Sequence, residues 1–420
     1  MELAEIVSRW IVNQPQPGDL EKINQIVNFN SYISRLWCHD LAVQLFRTLH
    51  HKQPDTLLAK TKGELKDFIV ENPLRTTPRI EELFARYRRW PEDFYRETPY
   101  DGRIYYLSEA DRRHYVGSTR IKRFRRIAEK GARRIVDYMF ERIRINADAL
   151  AEERAKALGI PKRALITPPE QQVEEFLHAE RRLLKMIRRG TIQYEFPILS
   201  IPDVVGIKIL VEGDQYERLI DTIERSKTCT LLEQEQHTGR YNAINLRVAH
   251  QIPRDRLLQQ LPARHHIRIL KYRGFDPATV IDDYTRFVET AEDHVLLEII
   301  VCSYDDFIES EIGRCMHEER ITNQRSHIDY SGHLATNVMH LMDYILALCL
   351  APTHGVEITD VPVKLWMRYM PDTLDRLQRK IFNVPVDASF EDPSTTTTTA
   401  VSLSRRALSD DADGDPELLN

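Results

Sequence analysis

Two carboxylates stand where apolar neighbours make their presence costly. Asp203 opens the run Asp203-Val204-Val205-Gly206-Ile207-Lys208-Ile209-Leu210-Val211, and Glu298 sits inside Val295-Leu296-Leu297-Glu298-Ile299-Ile300-Val301. A buried carboxylate with no partner is expensive, so Glu298 must face a metal, a basic group or a water-filled cleft. If the two runs are neighbouring strands, Asp203 and Glu298 can share one Mg²⁺ and the phosphates it carries. The alternative is that Asp203 caps a turn after Pro202 and Glu298 pairs with an arginine. Cations precede the first run: Arg181, Arg182, Lys185, Arg188 and Arg189 lie mostly off the apolar stripe of one helix, and Gly190 ends it. Such a cluster suits polyphosphate.

Both acidic runs are short and rich in β-branched residues, which predicts buried strands of a layered sheet. Gln215 to Arg225 reads as a helix, Cys229 to Leu232 as a short strand and Tyr241 to Ala249 as another strand. Alternation in the last puts Tyr241, Ala243, Asn245 and Arg247 on one face, where the Tyr241 ring is placed to meet a purine. Residues 304 to 321, 334 to 350 and 363 to 381 read as helices. Upstream, helices are expected near Leu3–Val12, Asp19–His50, Leu57–Val70 and Arg79–Arg88, divided by prolines, with a short hairpin near Gly102–Leu107. The basic segment 112–134 carries apolar residues Phe124, Ile127, Ile135, Tyr138 and Met139 at helical spacing, so one face packs and the other is cationic. That cationic face is read either as a surface for RNA, ribosome or nucleotide phosphates or as a solvated face paired with neighbouring acids. The pair His39-Asp40 has no histidine upstream to complete a phosphohydrolase metal site, so it reads as structural.

The chain of 420 residues has a formal charge of −5, with 42% hydrophobic and 29% charged residues. These values describe an ordinary globular protein and give no global pull towards nucleic acid. No apolar run is long enough for a membrane span, and a cytoplasmic location is expected. The five cysteines include no CxxC pair, which excludes the usual zinc spacings and leaves reduced, buried thiols as the expectation. The fold class expected is α+β, a mixed sheet flanked by helices with a helical N-terminal region. The expected division is 1–160 helical, 161–385 the sheet domain with its C-terminal helices, and 386–420 a disordered tail of threonines and acids.

The order of motifs from Lys185 onwards resembles the synthetase domain of the RelA/SpoT family, which has a nucleotidyltransferase-like fold. The resemblance is carried by Lys185-Met186-Ile187-Arg188-Arg189-Gly190, the Asp203 strand, Gly239-Arg240-Tyr241-Asn242-Ala243-Ile244-Asn245, Glu298-Ile299-Ile300-Val301 and Glu311-Ile312. It implies a Mg²⁺-dependent transfer of a pyrophosphoryl group from ATP to the ribose 3′-hydroxyl of a guanine nucleotide, the chemistry of guanosine tetraphosphate metabolism and the stringent response. Asp203 and Glu298 would be the catalytic metal ligands, Tyr241 the platform for guanine and Lys185 a contact to ATP phosphates. Arg181, Arg182, Lys208, Asn245 and Arg247 complete the nucleotide-binding set. Glu175 and Leu177 stand where the family has cations, Asn245 where it has histidine, and Ile300 and Cys302 where it has glutamine and arginine. Those substitutions open a second reading, a catalytically silent nucleotide- or RNA-binding regulator of the same fold.

Overall fold

In the computed structural model, residues 2–109, 112–122, 124–192, 204–239, 242–259, 268, 271, 276–313, 332–350, 358–361 and 364–367 are described. Strands β4 (Val205–Leu210) and β7 (His294–Cys302) lie side by side and run parallel, pairing Val205 with Leu297 and Gly206 with Glu298. Around them the sheet extends in both directions. β3 (Arg112–Ile121), β2 (Pro99–Glu109) and β1 (Asp55–Thr61) add antiparallel on one side; β6 (Ala243–Gln251) and β5 (Cys229–His237) add on the other. The order is β1-β2-β3-β4-β7-β6-β5, seven strands. The fold is therefore α+β with a mixed sheet flanked by helices, and the sheet draws strands from both sides of residue 160.

One face of the sheet is largely apolar over its central strands. Val205, Ile207 and Ile209 of β4, Leu297, Ile299 and Val301 of β7, and Leu246 and Val248 of β6 alternate onto it, because side chains of successive strand residues point to opposite faces. They pack against the C-terminal half of α2 (Asp19–His50), through Leu41, Leu45 and Phe46, and against Leu219 and Ile223 of α7 (Gln215–Glu224). The same α2, 32 residues long, puts Leu20 and Ile23 into a second, helical core. That core gathers α1 (Glu2–Ile11), α5 (Phe124–Ala157), α6 (Pro169–Arg188) and α11 (His333–Ala347). Midway along α2, Ile33 meets Leu257 of α8 (Arg254–Gln259) and Tyr284 and Val288 of α9 (Pro277–Thr290). One helix therefore fixes the helical body relative to the sheet.

The opposite face is covered over part of its area. α3 (Lys62–Glu71) and α4 (Pro78–Arg89) each start at a threonine whose hydroxyl accepts from the third amide of the helix, Thr61 from Glu64 and Thr77 from Ile80, satisfying a donor the first turn would otherwise orphan. α4 also has Pro78 in its first turn. Leu65, Phe68, Ile80, Leu83 and Phe84 pack against Ile104, Tyr115, Leu210, Ile300 and Cys302 of the sheet, with Tyr304 and Phe307 of α10 (Tyr304–Ile308) between.

Several segments differ from expectation. Residues 55–61 are an edge strand, not the start of a helix; Leu57 and Leu58 are exposed there, so no buried face marks them. The expected hairpin at 102–107 is longer, and its second strand is β3, the first half of the basic segment. β5 continues to His237 because its last residues are polar edge positions. The helix from Tyr304 passes into a π-turn over Glu309–Gly313, and its expected continuation lies outside the described residues, as does nearly all of 363–381 and all of 386–420.

Candidate functional site

A line of side chains crosses the partly covered face at its open end. Cross-strand partners share a face, and the register joins Arg120 to Gly206, Gly206 to Glu298, Glu298 to Arg247, and Arg247 to Glu233. Arg120 reaches over Gly206 towards Glu298, with Nη2 3.9 Å from Oε2. Arg120 passes close over Gly206: a Cβ there would lie 3.5 Å from Arg120 Nε, in ordinary contact. Glu298 keeps 25% of its side chain exposed, so the row opens to solvent. Arg247 donates to Glu233 at 2.6 Å, with both side chains about half exposed.

One pleat along β4, Lys208 faces inwards. Its Nζ is 3.4 Å from Glu311 Oε2 and 5.0 Å from the centre of the Phe307 ring. Glu311, buried in the π-turn, also ion-pairs with Lys62 at the start of α3. Burial works to raise the Glu311 pKa, but the charges of Lys62, Lys208 and Lys66 outweigh it and hold the carboxyl well below its usual range. In the same cross-strand line as Lys208, Asn245 donates from Nδ2 to His237 Nε2 at 3.1 Å. Its Oδ1 is buried with no hydrogen-bond partner among the described residues.

The sequence-derived site is partly assembled. Glu298, Lys208, Asn245 and Arg247 share one face of adjacent strands. Asp203 precedes β4 by two residues, and both it and Tyr241 lie outside the described residues. Arg181, Arg182 and Lys185 are exposed along the outer side of α6, whose inner side packs on α5. There Glu175, standing where the family resemblance expects a cation, pairs with Arg154 of α5 at 2.9 Å. Arg120, Glu233 and Lys62 were not foreseen as partners of the site. Nothing local in the sequence announces them, since each is brought in by strand pairing or helix packing from another part of the chain.

The basic segment 112–134 does not form one surface. Its first half is strand, where Arg113 lies 5.6 Å from the Tyr106 ring and Arg120 turns to Glu298. In its second half Arg126 pairs with Glu129 at 2.5 Å, and Lys122, Lys130, Arg133 and Arg134 are each engaged with other groups. His39 Nδ1 is 2.8 Å from the Tyr105 hydroxyl, and Asp40 accepts from Arg256 at 3.2 Å, so the His39-Asp40 pair is structural.

No group of three or more His, Cys, Asp and Glu side chains among the described residues is arranged to hold a metal ion. Glu298 is flanked across the sheet by Arg120 and Arg247, and Asp203, the other expected Mg²⁺ ligand, lies outside the described residues. A shallow depression of about 580 Å³ is lined by Pro91, Glu92, Tyr95, Arg96, Glu97 and Thr98, none of which belongs to the row. No helix among the described residues is long and apolar enough to cross a membrane.

The sequence matches no protein-family model and no curated protein. Among solved structures, the small alarmone synthetase 1 from Bacillus subtilis bound to its product pppGpp is similar over 41% of this chain and 75% of that one, at 14% identity. The TM-score is 0.19, a superposition too loose to carry an argument about this site.

Proposed function

We propose that the chain binds nucleotide polyphosphates at the row Arg120–Glu298–Arg247 on its sheet. The observation that carries this reading is the cross-strand row itself, in which the Arg120 guanidinium lies across Gly206 with Nη2 3.9 Å from Oε2 of the partly exposed Glu298, and Arg247 stands next in line. Arg247 is held by Glu233 in an exposed pair, and pairs of that kind are worth about 0–1 kcal/mol. A phosphate, offering charge-assisted and bidentate bonds, draws both guanidinium groups from their carboxylates at small cost. Glu298 and Glu233 then act as placeholders that keep two flexible cations ordered on the sheet. Strand spacing puts the Arg120 and Arg247 backbones about 14 Å apart. Two side chains leaning inwards span a polyphosphate from its ends.

A second reading, transfer of a phosphoryl or pyrophosphoryl group from ATP to a nucleotide or RNA hydroxyl, is favoured by one observation. Glu298 stands on the parallel neighbour of the strand that Asp203 precedes. The two readings separate in one experiment. Calorimetric titration of the protein with ATP, GTP and inorganic triphosphate, with and without Mg²⁺, measures binding. Labelled ATP with guanine nucleotides or RNA measures transfer. Salt-sensitive binding without labelled product supports the binding module; labelled product supports transfer; no binding of any of the three removes both.

A further inference from the structure

α5 and α6 form a helical hairpin, and the outer side of α6 is an exposed strip with no partner among the described residues. Val173 and Leu177, one turn apart, are 57% and 41% exposed in the middle of that strip. Two exposed apolar residues stacked at i and i+4 are what a partner helix packs against. Ile166, just before the helix, is 92% exposed.

The charges on the strip are sorted by sign. Glu170 and Glu174 stand in the N-terminal half; Arg181, Arg182, Lys185 and Arg188 stand in the C-terminal half. Elsewhere in the helical hairpin, surface charges are paired locally, as in Arg144 with Glu141, Lys156 with Glu152 and Lys162 with Asp148. The strip charges on α6 form no ion pair among the described residues. A helix that is acidic at one end and basic at the other repels a parallel copy of itself and matches an antiparallel one.

We propose that the outer side of α6 pairs antiparallel with α6 of a second copy of this chain, about a two-fold axis passing between Leu177 and His178. That axis sets Glu170 opposite Lys185 and Glu174 opposite Arg181 of the other copy, each contact occurring twice because the interface is isologous. Leu177 lies beside the axis between the two Glu174–Arg181 pairs, and Val173 lies between the Glu174–Arg181 and Glu170–Lys185 pairs, so that apolar contact and charge pairs alternate along the helices. The antiparallel arrangement also sets opposed helix dipoles side by side. The charge pairs decide orientation and register more than affinity. This association is independent of nucleotide binding at the sheet.

Sedimentation equilibrium of the full chain over a range of concentrations and salt tests it. A monomer–dimer equilibrium that weakens with salt is expected. Glu174→Arg and Arg181→Glu each set like charges together twice, and each weakens dimerisation by about tenfold or more. The double variant E174R/R181E restores it by exchanging the signs across the axis. Leu177→Arg abolishes it; circular dichroism and the unfolding midpoint establish that the variant is folded. A chain that is monomeric at all concentrations overturns the proposal. So does a dimer indifferent to the single charge reversals, or a double variant that is not restored. Binding of a polyanion to the basic half without self-association overturns it equally.

Discussion

Arg120 and Glu298 meet across Gly206, whose position leaves room for a methyl group and for little more. The expected Cβ position at Gly206 lies 3.5 Å from Arg120 Nε and 3.6 Å from its Cγ, ordinary van der Waals contact. Gly206→Ala therefore leaves the pair in place, whereas Gly206→Val fills the path and lifts Arg120 from the row. With triphosphate as titrant, Gly206→Val and Arg120→Met lose affinity by about tenfold, the scale of one charge-assisted contact, and Gly206→Ala changes it by less than about twofold. Equal affinities for all three variants would remove Arg120 from the site.

Replacing Glu298 distinguishes a placeholder from a catalytic carboxylate. Glu298→Gln keeps the shape and removes the charge that competes with phosphate for Arg120. In the binding module this variant binds triphosphate more tightly than the parent. In a transferase the same substitution leaves binding near its former level and abolishes labelled product. Titration and a product assay on one preparation read both.

Lys62 and Glu311 form a buried pair between the start of α3 and the turn after β7, with side chains 7% and 2% exposed. Removing one member of a buried pair costs about 3–5 kcal/mol, because the other charge stays behind. Lys62→Met takes from Glu311 the strongest of the cationic charges that stabilise it, and a urea midpoint lowered by an amount equivalent to about 3 kcal/mol is expected. The Glu311 pKa is depressed in the fold, so its stabilisation is fully present above the ordinary glutamate value of about 4.3 and is lost as pH falls below it. Stability measured from pH 7 down to pH 2 should therefore drop more steeply in the parent than in Glu311→Gln, whose curve starts lower and is flatter.

The parts of the site legible in the sequence were those carried by single strands. The β4 and β7 runs were visible because both of their faces are largely buried, leaving near-continuous apolar residues. β6 was visible through strict alternation of Ala243, Asn245 and Arg247 with Ile244, Leu246 and Val248. β3 was hidden. Its residues 115–119 are buried on both faces although they include Gly117, Ser118 and Thr119, and its flanking arginines read as surface charge. Arg120 thus became a member of a basic segment instead of the partner of Glu298, a relation that exists only through pairing of β3 with β4. α6 shows the opposite limit. Its periodicity predicts one packed stripe of Val173, Phe176, Leu177, Leu183, Leu184 and Ile187. Leu183, Leu184 and Ile187 are buried, but Val173 and Leu177 are 57% and 41% exposed, because periodicity marks an apolar face and carries no information about how far along the helix a neighbour covers it. Glu311 was placed on a helix, yet its partner Lys62 is 249 residues away in sequence.

Thiol reactivity follows burial. Burial pushes the Cys38 thiol far above its usual range and the Cys302 thiol up to about 11, the latter despite the opposing charge of Lys208. Cys349 is only half buried. The thiolate is the reactive form, so at pH 8 Cys349 is expected to react with a disulfide reagent well before Cys38 and Cys302, which label only on unfolding. Mass spectrometry of timed labelling assigns the order, and early modification of Cys38 would contradict the packing of α2 on the sheet.

Gly117 stands where α2 presses Phe46 onto the sheet. A Cβ added there would stand 2.2 Å from the Lys208 carbonyl oxygen and 2.4 Å from Phe46 Cζ. The first of these contacts is backbone in the paired strand β4, and no rotamer change relieves it. Overpacking of this kind costs typically about 1–3 kcal/mol and occasionally more; with a fixed partner the upper end is expected, about 3 kcal/mol for Gly117→Ala. Phe46→Leu shortens the side chain on the other side and costs about 1 kcal/mol on its own. Because the carbonyl contact remains, the double variant G117A/F46L should recover less than half of the Gly117→Ala loss in urea unfolding. Full recovery would mean that the helix, not the register of β3 on β4, is what requires glycine at this position.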